Sequence, residues 1–308
     1  MHYRKLGSTG ILAGEIGFGA WSLSLVPDDD AAVALVRSAV RQGANVVDVA
    51  DVYQAGRCEA LVGRALEGVR ENAVVATKVG LSERDGALQR DFNPRRIVRA
   101  VQASRERLRS DYIDLLQLHY PTVDALTDPG LWEALAELRG DGGVKHIGVA
   151  ADSLEVALAA VAEPRVETVQ VVFNAVDAGM LAAIRRAHAA GKGVIARAPL
   201  LGGLLARRTH DELDPAASSR EPLKSWPAER LRILAAQAER FHTAWPDDER
   251  MPAQAALGWV LAHPEVSVTI PGARTVDQLA ENLATSDLPL PSAKRMAAAQ
   301  HVQATASA

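Results

Sequence analysis

Eight short runs rich in β-branched residues, each followed by a longer amphipathic stretch of alanine, leucine and arginine, punctuate a chain of 308 residues. A period of two giving way to a period near 3.6 is the pattern of βα units, and such units favour parallel strands. The predicted strands are Glu15 to Gly19, Ala44 to Ala50, Ala73 to Val79, Tyr112 to His119, Val144 to Ala150, Thr168 to Phe173, Gly193 to Ala198 and Val266 to Ile270. Helical patterns follow them, among them Pro94 to Leu108 and Met180 to Ala190, the latter closed by Gly191. Eight such pairs in a chain of this length predict an α/β fold, a (β/α)8 TIM barrel. An open doubly wound sheet is the alternative that periodicity alone leaves.

A further strand pair is expected before the first barrel strand. His2 to Leu6 meets Ile11 to Gly14 through the turn sequence Gly7-Ser8-Thr9-Gly10, and such a hairpin would plug the barrel floor. The longest connection lies between strands seven and eight: a polar loop from Thr209 to Ala228, then two helical patterns, LRILAAQAERFHTA and MPAQAALGWVLAHP. An insertion of that length beside a barrel mouth often acts as a lid. With no linker and no low-complexity tract, residues 1–308 read as a single domain.

Composition narrows the partners. Hydrophobic residues make up 48% and charged residues 23%, enough for a sizeable core, and the net charge is −4. A chain with that balance has no bulk positive field, so neither nucleic acid nor an anionic membrane surface is an expected partner. Cys58 is the only cysteine, which excludes an internal disulfide and a cysteine-built metal centre. Neither a secretion signal nor a run of about 20 apolar residues is read, so the expected location is the cytoplasm. The eight histidines are scattered, and Glu239 and His242, one turn apart, lack a second pair to complete a metal site.

Three titratable residues lie at or near the ends of apolar strands: Asp48, Lys78 and His119. Barrel enzymes carry their catalytic groups at the carboxyl ends of strands, so these three form a candidate site. Lys78 stands out because the chain holds few lysines among its 34 basic residues, and this one ends a nearly unbroken apolar run. Tyr53 follows Asp48 by five residues in Asp48-Val49-Ala50-Asp51-Val52-Tyr53.

At this point the sequence resembles the aldo-keto reductase superfamily. That family shows Asp-Thr-Ala-x-x-Tyr after its second strand, then Gly-x-Ser-Glu and Leu-Gly-x-Ala-Leu, where this chain has Gly56-Arg57-Cys58-Glu59 and Leu61-Val62-Gly63-Arg64-Ala65-Leu66. Further matches are the Lys-ended third strand, the His-ended fourth, Pro199-Leu200 with Gly203, and Ile270-Pro271-Gly272 with Gln278, Glu281 and Asn282. The resemblance spans nearly the whole chain and implies a catalytic tetrad of Asp48, Tyr53, Lys78 and His119. Hydride delivery to a carbonyl carbon leaves charge on its oxygen, which a proton donor about 3 Å away relieves. Tyr53 is the implied donor. Lys78 would lower its pKa, Asp48 would hold Lys78, and His119 would orient the carbonyl oxygen.

The resemblance also implies a nicotinamide cofactor, held by Gln170, Arg197, Pro199, Leu200, Gly203, Gly272, Arg274, Gln278, Glu281 and Asn282. Arg274 suits a 2′-phosphate, which favours NADPH over NADH. Gln170 matches the ligand of the nicotinamide carboxamide, and Arg197 stands where an aromatic ring or an arginine faces the nicotinamide. One departure concerns the usual Gly-Val-Ser-Asn after the fifth strand, replaced here by Gly148-Val149-Ala150-Ala151. Two side chains that would hold the carboxamide are gone, so weaker or altered nicotinamide binding is expected. Cys58 in place of the usual serine is read as a poorer helix cap without redox role.

Trp21 and Tyr120, just beyond strand ends, are expected to border the substrate pocket, with the Val26–Asp30 and Leu201–Ala228 loops as further specificity elements. Within Pro291 to Ala308 a long loop able to shape a steroid-like pocket is not expected. The expected activity is NADPH-dependent reduction of a small aldehyde or ketone. Two alternatives stay open: a Schiff-base aldolase built on Lys78, and a nucleotide-binding regulatory barrel with little turnover.

Overall fold

The computed structural model describes residues 1–84, 87–207, 227–245 and 250–304. Strands β1 (Tyr3–Lys5) and β2 (Leu12–Gly14) form an antiparallel pair, with Tyr3 opposite Gly14 and Lys5 opposite Leu12. Then come β3 (Phe18–Gly19), β4 (Val46–Asp48), β5 (Val74–Val79), the hairpin strands β6 (Leu81–Arg84) and β7 (Ala87–Arg90), β8 (Ile113–His119), β9 (Val144–Ala150), β10 (Thr168–Val172), β11 (Gly193–Arg197) and β12 (Val268–Thr269). The helices are α1 (Asp29–Arg41), α2 (Arg57–Leu66), α3 (Pro94–Leu108), α4 (Val123–Thr127), α5 (Pro129–Gly140), α6 (Leu154–Ala162), α7 (Leu181–Ala189), α8 (Ala228–Thr243), α9 (Pro252–Leu261), α10 (Val276–Ala284) and α11 (Ala293–Ala304).

Eight strands pair in parallel in the order β3-β4-β5-β8-β9-β10-β11-β12. The two ends of that row meet. Ile16 bridges Thr269 in parallel, Gly17 N donates to Thr269 O at 2.8 Å, and Gly19 N donates to Pro271 O at 3.0 Å. The sheet thereby closes into the TIM barrel that the periodicity predicts. The first and last strands, β3 and β12, are shorter than expected, each only two residues long at the seam. Near the seam the first strand passes so close to its neighbours that a Cβ on Gly19 would lie 2.7 Å from Ile270 O.

Alternation along the strands sorts the barrel interior into layers. Leu6, Ala13, Val46, Ala76, Leu115, Ile195 and Val268 form one buried apolar cluster, so the N-terminal hairpin does plug the floor. Two residues further along the same strands, on the same side of the pleat, stand Asp48, Lys78, Gln117 and Arg197. A dry floor beneath a polar layer follows directly from the period of two. The larger outer cluster packs helices against strands, with Ile97, Val101 and Leu108 of α3 among its members. Asp28 caps α1 by accepting from Ala31 N at 2.7 Å, and Asn93 caps α3 ahead of Pro94.

Three features differ from the sequence reading. Cys58 is not a cap: α2 starts at Arg57, and Gly56, left-handed at φ 90°, takes the N-cap position. The β6–β7 hairpin was not expected, although Asp85-Gly86 between two short runs is a hairpin signal. Two helices, α4 and α5, rather than one, follow β8. In the long insertion the two helical patterns are α8 and α9, whereas the polar loop from Thr209 falls largely on residues 208–226, outside the described residues. Among the described residues, no helix is long and apolar enough to cross a membrane.

Candidate active site

The polar layer and the strand ends just above it gather the four candidate catalytic residues at one end of the barrel. Lys78 Nζ, only 1% exposed, donates to Asp48 Oδ1 at 2.5 Å, to Val49 O at 2.9 Å and to Tyr53 Oη at 3.4 Å. Tyr53 reaches the site because its peptide N–H closes a turn onto Ala50 O at 3.2 Å, returning the chain over the end of β4. The next three residues, Gln54, Ala55 and Gly56, are all left-handed, and this sharp bend launches α2. His119 ends β8, and its ring centroid lies 6.2 Å from that of Tyr53 in an edge-on arrangement.

A buried ion pair survives only when its remaining lone pairs are satisfied. Here Asp48 Oδ2 accepts from Gln117 Nε2 at 3.0 Å and from Gln170 Nε2 at 2.7 Å, while Gln170 Nε2 also donates to Gln117 Oε1 at 3.0 Å. Gln117 was not singled out from the sequence. Its signal was present, because it lies two residues before His119 on the same side of the pleat.

Burial, reinforced by the Asp48 carboxylate, holds the Tyr53 hydroxyl well above a phenol's usual pKa, with Arg197 opposing. Burial and the carboxylate thus outweigh the expected downward pull from Lys78. The ammonium group is committed to Asp48 at 2.5 Å and stands 3.4 Å from the phenol, so the carboxylate cancels much of its field. Burial, then Lys78 and Arg197, hold the His119 imidazole well below its usual pKa, and the ring is neutral at physiological pH. Asp51, beside the site, is pushed up to about 7 by burial and by Glu59.

Tyr120 stacks obliquely on His119 with centroids 4.5 Å apart, and the Arg197 guanidinium lies 5.0 Å from the Tyr120 ring centroid. Trp21, half-buried, sits in the 3₁₀ turn Ala20–Leu25 that follows β3, without a ring contact to the four catalytic candidates among the described residues. An open cavity of about 570 Å³ is lined by Ser24, Leu25, Val26, Pro27, Gln54 and Arg57, between that turn and the residue after Tyr53.

Of the groups implied as cofactor ligands, Gln170 lies within β10, Arg197 ends β11, and the others follow β11 and β12. Gln170 Oε1 and Arg197 Nε are buried without a partner, as polar atoms awaiting a ligand would be. Pro199, Leu200 and Gly203 lie in a winding loop after β11, where Ala198, Leu201, Gly202 and Gly203 are all left-handed. Gly272 O accepts from Asn282 Nδ2 at 3.3 Å, and Arg274 N donates to Gln278 Oε1 at 3.0 Å, which knits the β12–α10 turn. The Arg274 guanidinium is half-exposed and has no ion-pair partner among the described residues. Glu281 is half-buried, and burial raises its carboxyl. The residues present therefore fit a nicotinamide dinucleotide: an unpartnered acceptor on Gln170 and an unpartnered donor on Arg197 in the barrel mouth, and a spare cation at a helix start.

A model of the aldo/keto reductase family matches residues 15–302. The chain is 30% identical to the uncharacterised oxidoreductase YqkF of Bacillus subtilis, over 92% of this chain and 90% of that protein. It is 26% identical to the NADH-specific methylglyoxal reductase of Escherichia coli, over 92% of this chain and 93% of that one. Among solved structures it resembles the aldo-keto reductase AKR11C1 from Bacillus halodurans in its holo form, with a TM-score of 0.83 and 28% identity over 98% of this chain and 96% of that one.

Proposed function

The chain belongs to the aldo/keto reductase family and is a nicotinamide-dependent oxidoreductase of the carbonyl/CH–OH couple; on that premise we propose that it is an NADPH-dependent reductase of small aldehydes or ketones in the cytoplasm. The observation that carries this reading is Lys78 Nζ, held at once by Asp48 at 2.5 Å and by Tyr53 Oη at 3.4 Å, with a neutral His119 facing the tyrosine.

A bound dihydronicotinamide supplies the hydride. The protein's own residues do the rest. Tyr53 holds its proton on Oη throughout the neutral range, because burial and Asp48 disfavour the phenolate. It is thus a loaded acid for carbonyl reduction, and alcohol oxidation would require removing that proton against the same field. Lys78, by its contact with Oη, limits the charge that builds on the phenol as the proton leaves. His119 is a neutral imidazole able to donate one hydrogen bond to a carbonyl oxygen. The Asp48–Gln117–Gln170 network keeps Lys78 in place, and all three of its N–H bonds have acceptors. That saturation argues against a free amine for Schiff-base chemistry.

Support for NADPH over NADH comes from the unpaired Arg274 guanidinium at the start of α10, which suits a 2′-phosphate. The E. coli relative is NADH-specific by name, so the preference needs its own measurement. In Tyr53→Phe, kcat for a small-aldehyde panel should fall by about two orders of magnitude or more while the Kd for NADPH stays put. Normal turnover in that variant would remove Tyr53 from its role. Arg274→Ala should weaken NADPH by about tenfold or more and leave NADH unchanged.

A further inference from the structure

Among the described residues, the buried polar atoms without a partner in the barrel mouth are His119 Nδ1 and, on β10 and β11, two that are opposite in kind. Gln170 is 1% exposed, and its amide nitrogen is committed to Asp48 Oδ2 at 2.7 Å and Gln117 Oε1 at 3.0 Å, which leaves Oε1 as a buried acceptor with nothing to accept. Arg197 Nη2 donates to Ala151 O at 3.3 Å, while its Nε is a buried donor with nothing to donate to. Leaving a buried polar group unpaired is costly, so each calls for an explanation. Where the family carries Ser-Asn, this chain has Ala150 and Ala151, both fully buried and without side-chain polar atoms.

The register shows how one feature answers the other. Gln170 on β10 lies opposite Ala150 on β9, and Val172, two residues on, lies opposite Arg197 on β11. From the far side of β10, the Arg197 guanidinium reaches across the strand end to the Ala151 carbonyl, beside the position left bare by the two alanines. Tyr120 lies against the guanidinium at 5.0 Å, whereas the unpaired Nε–H points in its plane.

We propose that Arg197, through Nε–H, takes over from the missing side chains at 150 and 151 as the donor to the carbonyl oxygen of the nicotinamide carboxamide, with Gln170 Oε1 accepting from its NH₂. This deepens the reading above and rests on it. A primary carboxamide offers one acceptor and one donor on the same carbon, which matches the orphaned pair. A carboxylate would satisfy Arg197 and leave Gln170 Oε1 facing a second acceptor. Arg197 thereby acts as an in-plane donor rather than as a stacking plate for the nicotinamide ring.

The test is equilibrium binding, read by quenching of tryptophan fluorescence. The probes are NADPH, its thionicotinamide analogue, whose sulfur accepts poorly, and its 3-acetylpyridine analogue, which keeps the carbonyl and lacks the NH₂. The wild type should bind NADPH about tenfold more tightly than either analogue, the loss of one hydrogen bond in each case. In Arg197→Leu, NADPH should weaken about tenfold and its advantage over the thio analogue should vanish, while its advantage over the acetylpyridine analogue persists. Introducing Ala150→Ser and Ala151→Asn into Arg197→Leu should restore the preference for NADPH over the thio analogue. Retention of that preference in Arg197→Leu, or an NADPH Kd within twofold of wild type, would overturn the proposal and leave the reductase assignment standing. Failure of the wild type to bind NADPH or NADH would remove both.

Discussion

Asp51 shows how a single carboxyl beside the site reports on its surroundings. Its Oδ1 is buried with no partner, Glu59 on α2 adds a second negative charge, and Arg107 and Arg96 on α3 offset these only in part. Glu59 is itself spoken for, accepting from Thr77 Oγ1 at 2.5 Å and from Arg107 Nε at 2.7 Å. A carboxyl raised from 3.8 to about 7 destabilises the fold wherever the unfolded chain ionises and the folded one does not. The penalty is absent at pH 3, builds between pH 4 and 7, and levels off above about 7. Asp51→Asn should therefore be more stable than wild type at pH 8, by upwards of about 1 kcal/mol, and equal to it near pH 4. Urea midpoints across that range would show it, and a flat difference would refute it. At this scale the sequence was informative where residue type and strand position coincide, as at Asp48, Lys78 and His119. It was silent on the net balance: burial and the Asp48 carboxylate raise the Tyr53 hydroxyl despite the Lys78 contact at 3.4 Å, a competition that no spacing encodes.

Elements were legible in proportion to their periodicity. The interior strands β8 and β9, buried over most of their length, match the predicted ranges to within one residue. The end strands at the seam were overestimated, since their pairing depends on closure and not on composition. The β6–β7 hairpin escaped because β7 is exposed throughout and leaves no apolar alternation to read. The α2–α3 contact carries a prediction in which two local rules oppose each other. Gly63 sits inside α2, where alanine is favoured by about 1 kcal/mol. A Cβ there would lie 2.5 Å from Arg107 O and 2.7 Å from Leu108 C, both backbone atoms of α3 and its end. Backbone cannot step aside as a side chain does, and overpacking of this kind costs about 1–3 kcal/mol. Gly63→Ala should thus lose about 1–2 kcal/mol by urea denaturation despite its better helix propensity. A gain in stability would mean that α2 can shift away from α3 at no cost. Because Arg107 of α3 also holds Glu59, such a shift should also register as a change in the pH dependence ascribed to Asp51.

At the scale of the whole molecule, the barrel separates a floor that provides stability from a mouth that provides chemistry, and the period of two assigns residues to each. Leu6 illustrates the floor. It is fully buried in the inner cluster with Val46, Ala76, Leu115 and Ile195, and the hairpin that delivers it packs so closely that a Cβ on Gly193 would lie 2.7 Å from its Cδ1. The candidate catalytic side chains begin one layer higher, at Asp48 and Lys78, two residues after Val46 and Ala76 on the same strands. Leu6→Ala should leave a cavity in a ring of strands that cannot collapse inward without breaking ladder hydrogen bonds. The expected loss is about 3 kcal/mol of stability, since large-to-small core changes cost about 2–5 kcal/mol. It should appear as a lower urea midpoint at unchanged m-value, with KM for a carbonyl substrate and Kd for NADPH unaltered. A variant that keeps its stability would show the hairpin to be dispensable as a plug. One that loses NADPH affinity at the floor would show that the two layers are mechanically coupled, because the ends of β4 and β5 would then move with the cavity beneath them and carry Asp48 and Lys78 out of register with Tyr53.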